Sequence, residues 1–86
     1  MTINELKDRL GNSNLHPSEY YLLRAVTGDG YYIVRIEGAW EAGYSTGGGG
    51  TKGDRLFENE SDACDYLWSL IVKDGRAGGA ARSSPV

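Results

Sequence analysis

Residues 62–74 constrain the fold more than any other part of this 86-residue chain. Ser61 is a suitable N-cap for a helix here, and Asp62 in the first turn complements the positive end of the helix dipole. The apolar residues recur with the i, i+3, i+4, i+7, i+8 spacing of one helix face, and they are Ala63, Tyr66, Leu67, Leu70 and Ile71. A helix with one apolar face must bury that face against another element, so the rest of the chain has to supply a matching layer.

Residues 20–26 and 31–37 have the composition of that layer, because both are rich in aromatic and β-branched side chains. Between them, residues 27–30 are Thr-Gly-Asp-Gly, residue types that tolerate the backbone angles of tight turns. This pattern predicts a β-hairpin. Alternation along its second strand predicts a core face made of Tyr32, Val34 and Ile36.

Two further strands are predicted after this hairpin. Residues 40–44 alternate in the manner of a strand with one aromatic face, which carries Trp40, Ala42 and Tyr44. Residues 45–53 contain five glycines, so this connection is predicted to be mobile. A short fourth strand is predicted at residues 54–57.

A short helix is predicted at the N-terminus, because Thr2 and Glu5 have the spacing of a capping box and Gly11 is a suitable stop. The predicted order is α-β-β-β-β-α. It corresponds to the α+β class, with an antiparallel meander of three or four strands packed by the C-terminal helix. We predict a single domain over residues 1–75 and a disordered tail over residues 76–86, where large side chains are almost absent.

Charge and composition restrict the partners of the chain. The net charge is -3, and residues 1–75 hold 7 basic against 12 acidic residues, since Arg76 and Arg82 lie in the predicted tail. Such a domain lacks the basic face that binds nucleic acid. No run reaches the roughly 18 apolar residues of a membrane span, and no secretory signal is recognisable at the N-terminus. We therefore predict a cytoplasmic protein that contacts no membrane, which fits the single Cys64.

We predict that the protein is not an enzyme and holds neither a cofactor nor a metal. His16 is the only histidine and Cys64 the only cysteine, so no Cys/His zinc cluster can form, and no motif marks a serine as a nucleophile. Residues 48–53 match the GxGxxG pattern, but a strand is predicted after them, whereas phosphate binding by this pattern needs a helix N-terminus. A flexible loop is the favoured interpretation.

Three stretches of the sequence carry a family resemblance. They are Glu-Leu-Lys-Asp-Arg-Leu at residues 5–10, residues 32–44 around Trp40-Glu41, and Leu-Phe-Glu-Asn-Glu-Ser-Asp-Ala-Cys-Asp-Tyr-Leu at residues 56–67. In these stretches the chain resembles small bacterial immunity-type proteins, which protect a cell from polymorphic toxins. The resemblance covers roughly residues 3–74. It departs from the family pattern after Tyr44-Ser45, where Glu-Arg-Gly is replaced by Thr46 and the glycine tract.

The resemblance implies inhibition by stoichiometric binding, in which acidic and aromatic side chains dock on the active face of a toxin and block its substrate. The predicted partner-binding residues lie around the third strand and the glycine tract, and they are Glu37, Trp40, Glu41, Tyr44, Thr46, Lys52 and Asp54. Two alternatives stay open. One is a small self-associating module, such as a homodimer, and the other is a domain that binds a small anionic ligand through the glycine-rich loop.

Overall fold

The computed structural model describes residues 1–77 and contains a four-stranded sheet with one helix before it and one after it. This arrangement confirms the predicted α+β class and the order of the elements. Of the predicted tail, only Arg76 and Ala77 are among the described residues, so the prediction of disorder for residues 78–86 lies outside them. The elements are α1 Ile3–Gly11, a 3-10 turn Pro17–Glu19, β1 Tyr20–Leu22, β2 Asp29–Ile36, β3 Ala39–Thr46, β4 Thr51–Phe57 and α2 Glu60–Lys73.

Side-chain caps define where both helices begin. The predicted capping box of α1 is confirmed, because Thr2 Oγ1 accepts from the Glu5 amide and Glu5 Oε1 accepts from the Thr2 amide. The prediction of Ser61 as the N-cap of α2 is wrong. Asn59 caps this helix, with its Oδ1 accepting from the Asp62 amide at 2.8 Å. Asparagine and serine cap equally well, so the sequence alone does not separate the two positions.

The predicted hairpin between the first two strands is also wrong, because β1 and β2 run parallel. Tyr20 lies opposite Tyr31, and Leu22 lies opposite Ile33. Leu23 has a positive φ of 56° and reverses the chain directly after β1, and residues 23–28 then return along the sheet. The other two pairings, of β2 with β3 and of β3 with β4, are antiparallel as predicted.

The core lies between the helices and one face of the sheet, and β2 contributes the opposite face from the one predicted. Ile33 is fully buried, whereas Ile36 is 42% exposed. The pairing of Ile33 with Ala42 places both under the helices. On β3 the predicted aromatic face, which carries Trp40, Ala42 and Tyr44, is the face that packs on the core. The buried core residues are Leu6, Leu10, Leu15, Tyr31, Ile33, Ala42, Ala63, Cys64, Leu67 and Ile71.

The glycine tract is a tight connection between two long strands. Ser45 pairs with Thr51, so β4 begins three residues earlier than predicted and only residues 47–50 lie outside the strands. A β-bulge interrupts this pair, because Gly43 alone faces both Gly53 and Asp54. A Cβ atom at Gly43 would lie 2.8 Å from the Asp54 Cα, so the close approach of the strands at the bulge requires glycine.

Candidate functional site

The sheet has two chemically different faces. Both helices pack on one of them, which we call the covered face. The opposite face carries no helix, and we call it the open face. Its strand residues are Tyr21, Gly30, Tyr32, Val34, Ile36, Ala39, Glu41, Gly43, Ser45, Thr51, Asp54 and Leu56.

The β1–β2 connection covers only one end of the open face. Gly28 packs against the Tyr21 hydroxyl, and Tyr32 is only 4% exposed beneath this connection. At the other end the face is uncovered. Leu56 on β4 is 65% exposed there, and Ile36, two strands away on β2, is 42% exposed. The uncovered end therefore presents apolar side chains to solvent.

Charge is segregated between the two faces. The basic residues of the strands all lie on the covered face, and they are Arg35, Lys52 and Arg55. Arg35 stacks on the ring of Trp40 at 4.6 Å, which keeps its guanidinium away from the open face. Glu41 and Asp54 are the only charged strand residues on the open face. The strand charges of the open face are therefore acidic, and the nearest cation is Arg24 of the β1–β2 connection, which lies 4.7 Å from the centroid of the Tyr21 ring at the β1 edge.

Glu41 is held in place by a buried tyrosine. The Tyr32 hydroxyl donates a short hydrogen bond to Glu41 Oε2. Burial raises the pKa of Tyr32, and the hydrogen bond and charge of Glu41 raise it further, so the phenol stays protonated as a donor. Leu56 lies directly opposite Glu41 on β4. An oriented carboxylate on β3 thus stands next to an exposed leucine on the edge strand β4.

A cavity of about 330 Å³ lies beside Glu41. The β1–β2 connection forms one wall and the glycine turn forms the other, and Glu41 is the only charged residue that lines it. Ser45 and Thr51 add hydroxyl groups. This lining suits a cationic or hydrogen-bond-donating group, and it offers no basic side chain to an anion bound at the glycine turn.

A second cavity, of about 410 Å³, lies on the covered face where α2 ends. It contrasts with the first because three of its lining residues are basic. The Tyr31 hydroxyl donates to Asp74 Oδ2 at 2.6 Å on one side of it. The lining residues are Tyr31, Tyr44, Lys52, Gly53, Leu70, Lys73, Asp74 and Arg76.

The seven residues predicted to bind a partner do not share one surface. Tyr44 and Lys52 are register partners that line the second cavity together. The sequence reasoning missed Tyr32 and Leu56, although strand alternation would have placed both beside Glu41 once the core face of β2 was known. The seven divide into three sets: Glu41 and Asp54 on the open face; Trp40, Tyr44 and Lys52 on the covered face; Glu37 and Thr46 at strand ends.

Glu37 has a backbone role in addition to its charge. With Gly38 it forms the two-residue turn between β2 and β3, and both residues have positive φ, 47° and 88°. Positive φ at both positions is the signature of a type I′ turn, whose twist matches that of antiparallel strands. The carboxylate of Glu37 is therefore presented at the tip of a short, well-defined hairpin.

The residues with the greatest chemical reactivity are not gathered at either cavity. His16 caps the 3-10 turn, where its Nδ1 accepts from the Ser18 amide, and Cys64 is buried in the core. Within residues 1–77, no group of three or more histidine, cysteine or acidic side chains is placed to hold a metal. In the same part of the chain, no helix has the length and apolar character needed to cross a membrane.

The geometry therefore offers one exposed surface with a distinctive composition, the open face around Glu41 and Leu56. Its acidic and apolar groups lie side by side on rigid strands. No protein-family model, curated protein or solved structure matches the chain.

Proposed function

We propose that this chain is a non-enzymatic binding domain of the immunity type, which inhibits a bacterial toxin in the cytoplasm by stoichiometric binding through its open face. The observation that carries the proposal is the pairing of an oriented carboxylate, Glu41, with the exposed Leu56 on a face free of basic strand residues. The family resemblance supplies the class of partner. The buried free thiol of Cys64 fits a reducing compartment.

The composition of the open face resembles that of a binding surface. Apolar side chains at the centre of an interface supply most of the affinity, while charges speed the encounter and select the partner. Leu56 and Ile36 provide exposed apolar area, and Glu41 and Asp54 provide charge of a single sign. A partner that fits must therefore be basic around an apolar patch.

A basic partner surface is what a toxin with a polyanionic substrate would carry. An active site that binds a phosphate backbone needs lysine and arginine side chains. One such side chain would fit the cavity beside Glu41, where a carboxylate and the Ser45 and Thr51 hydroxyls are available. Occupying the toxin's basic groups in this way blocks substrate without any chemical step.

The experiment is a pull-down from host lysate with the tagged full chain and two matched variants. Leu56→Arg places a positive charge on the open face, and Val72→Arg makes a comparable change on the outer surface of α2, where Val72 is 51% exposed. We expect one protein to be retained in near-equal amount by the wild type and by Val72→Arg, and to be lost with Leu56→Arg. Its toxic activity should fall to zero at one equivalent of this domain.

Two outcomes oppose the proposal. One is a partner that Leu56→Arg retains as well as the wild type does, and the other is a toxin whose activity is unchanged by excess protein.

Glu41→Gln tests the charge separately, because a glutamine oxygen can still accept from Tyr32 while the negative charge is removed. We expect this variant to associate more slowly, with a weaker dependence of the rate on salt.

Self-association is the second candidate function, and the exposed outer edge of β4 favours it. The strand Thr51–Phe57 borders the sheet and pairs on one side only. The bulge at Gly53 and the charged Lys52 and Arg55 are features that discourage strand pairing. Light scattering at high concentration decides between the candidates, since a stable dimer that Leu56→Arg disrupts would favour self-association over inhibition.

A further inference from the structure

We propose that the second cavity, which we call the α2-end cavity, binds a small organic anion with one acidic group and a flat apolar body. Its lining residues are those given above, from Tyr31 on β2 to Arg76 beyond α2. This site lies on the covered face, so it is separate from the open face and does not depend on the proposed partner. The charge of the cavity, its shape and the β-bulge that builds it all fit such a ligand.

The charge of the cavity is opposite to that of the chain. Three basic residues line it against one carboxylate, a formal balance of three minus one, in a chain whose net charge is -3. Asp74 is engaged by the Tyr31 hydroxyl, and Arg76 pairs with Glu19 at 2.8 Å. Within residues 1–77, neither Lys52 nor Lys73 forms an ion pair. Two ammonium groups are therefore free to receive an anion.

The remaining wall of the cavity is apolar and aromatic. Tyr31 and Tyr44 contact each other edge to face, with ring centroids 4.9 Å apart, and Leu70 of α2 lies beside them. The volume of about 410 Å³ is within the range of roughly 300–1,000 Å³ that small-molecule sites occupy. An aromatic body could pack on this wall while its acidic group meets the lysines.

The β-bulge at Gly53 is what brings Lys52 into the cavity. Arg55 and Phe57 contact α2 or its aromatic residues, so regular alternation would place residue 53 on the covered face and Lys52 on the open face. The extra residue of the bulge reverses the alternation of side chains between the two faces. Lys52 therefore lies on the covered face, where it pairs with Tyr44. Bulges occur often at sheet edges and next to active sites, where they redirect a side chain as this one does.

Gly53 also keeps the cavity open. Its φ of 64° lies in the left-handed region, and a Cβ atom there would point toward α2, 3.9 Å from Leu70. The Tyr66 hydroxyl anchors this position by donating to the Gly53 carbonyl. The backbone is thus held against the helix without a side chain filling the space between them.

The test is a titration of the ¹⁵N-labelled full chain with phenyl phosphate, followed by NMR. We expect saturable amide shifts confined to Lys52, Gly53, Lys73 and Asp74, with phenol alone producing none that saturate. The double variant Lys52→Ala/Lys73→Ala should weaken binding about tenfold or more, because two charge-assisted contacts are removed. Lys7→Ala removes a single positive charge on α1, away from the cavity, and should bind as the wild type does.

Three results would overturn the inference. They are an absence of saturable shifts at millimolar phenyl phosphate, shifts unchanged in the double variant, and inorganic phosphate binding as tightly as phenyl phosphate, which would show that the aromatic wall is not used. Lys52 and Lys73 are both exposed, so the double variant should fold normally. Unchanged amide positions in the core of its spectrum verify this directly.

Discussion

Tyr31 and Tyr32 show how two adjacent residues serve opposite faces of the sheet. Both are almost fully buried, and each donates its hydroxyl to a carboxylate, Tyr31 to Asp74 and Tyr32 to Glu41. Burial is the main reason that the pKa of each phenol is raised, and the neighbouring carboxylate adds to it. Both phenols therefore remain donors at physiological pH, and each orients an acidic group beside one of the two cavities.

Burial also alters the chemistry of Cys64. It is fully buried in α2, and burial, with the charge of Glu60 next in importance, raises the pKa of its thiol to about 11. The thiolate is the reactive form of cysteine, so this side chain acts as a small hydrophobe rather than as a nucleophile. Its packing is the reason to expect it to stay reduced and unmodified.

We predict that Cys64 reacts with a disulfide reagent at pH 8 at least about 100-fold more slowly in the folded protein than in strong denaturant, because its thiolate is scarce and shielded. Absorbance of the released thiol measures both rates. Above the usual thiol pKa the unfolded chain loses this proton while the folded protein keeps it, so stability should fall as the pH rises from about 9 to 11. Equal labelling rates in the two states would contradict the assignment.

At the scale of elements, α2 is joined to α1 through its first turn. Because the helix begins at Glu60, the Glu60 carboxylate accepts from the Ile3 amide at 2.6 Å, which joins the starts of the two helices. Asn59 makes this possible by capping the helix two residues before Ser61. A cap at Ser61 would leave Glu60 outside the helix and this contact unformed.

We predict that Asn59→Ala lowers the free energy of unfolding by about 1 kcal/mol, the usual cost of losing an N-cap. Ser61→Ala, the matched change at the other candidate cap, should cost less than about 0.5 kcal/mol. Urea unfolding followed by circular dichroism measures both. A larger loss for Ser61→Ala than for Asn59→Ala would place the start of the helix where the sequence alone suggested.

On the scale of the whole molecule, the chain has a one-sided core. Helices cover one face of the sheet, and the buried cluster lies between them and β2 and β3. The other face keeps a large leucine, Leu56, in solvent. A small domain buries only about 60% of the surface of its unfolded chain, so leaving one face open removes a sizeable share of its available stability. The open face stays exposed although covering it would stabilise the domain, and such a surface is suited to binding a partner.

We predict a large difference between two leucine truncations. Leu67→Ala removes a fully buried side chain from the centre of the core and should cost about 2–5 kcal/mol, whereas Leu56→Ala should change stability by less than about 0.5 kcal/mol. Urea midpoints compare the two directly. Strong destabilisation by Leu56→Ala in the isolated monomer would mean that the open face is packed, and it would remove the basis of the proposed binding surface.

The sequence by itself determined the two helices, the presence of four strands and the acidic character of the domain. These features depend on local signals, since the spacing of Leu67 and Ile71 or the capping pair of Thr2 and Glu5 acts within a few residues. The part of the proposed binding surface that could be inferred was its charge, through Glu41 and Asp54.

Only the tertiary structure decided which side of each strand became the core and which side stayed open. Ile33 and Ile36 are equally apolar, and the pairing of β2 with β3 under α2 selects Ile33. The parallel β1 and the bulge that moves Lys52 into the α2-end cavity likewise depend on contacts between distant segments. A shift of one residue in a strand reverses every side chain after it, so the faces follow from long-range pairing and not from composition.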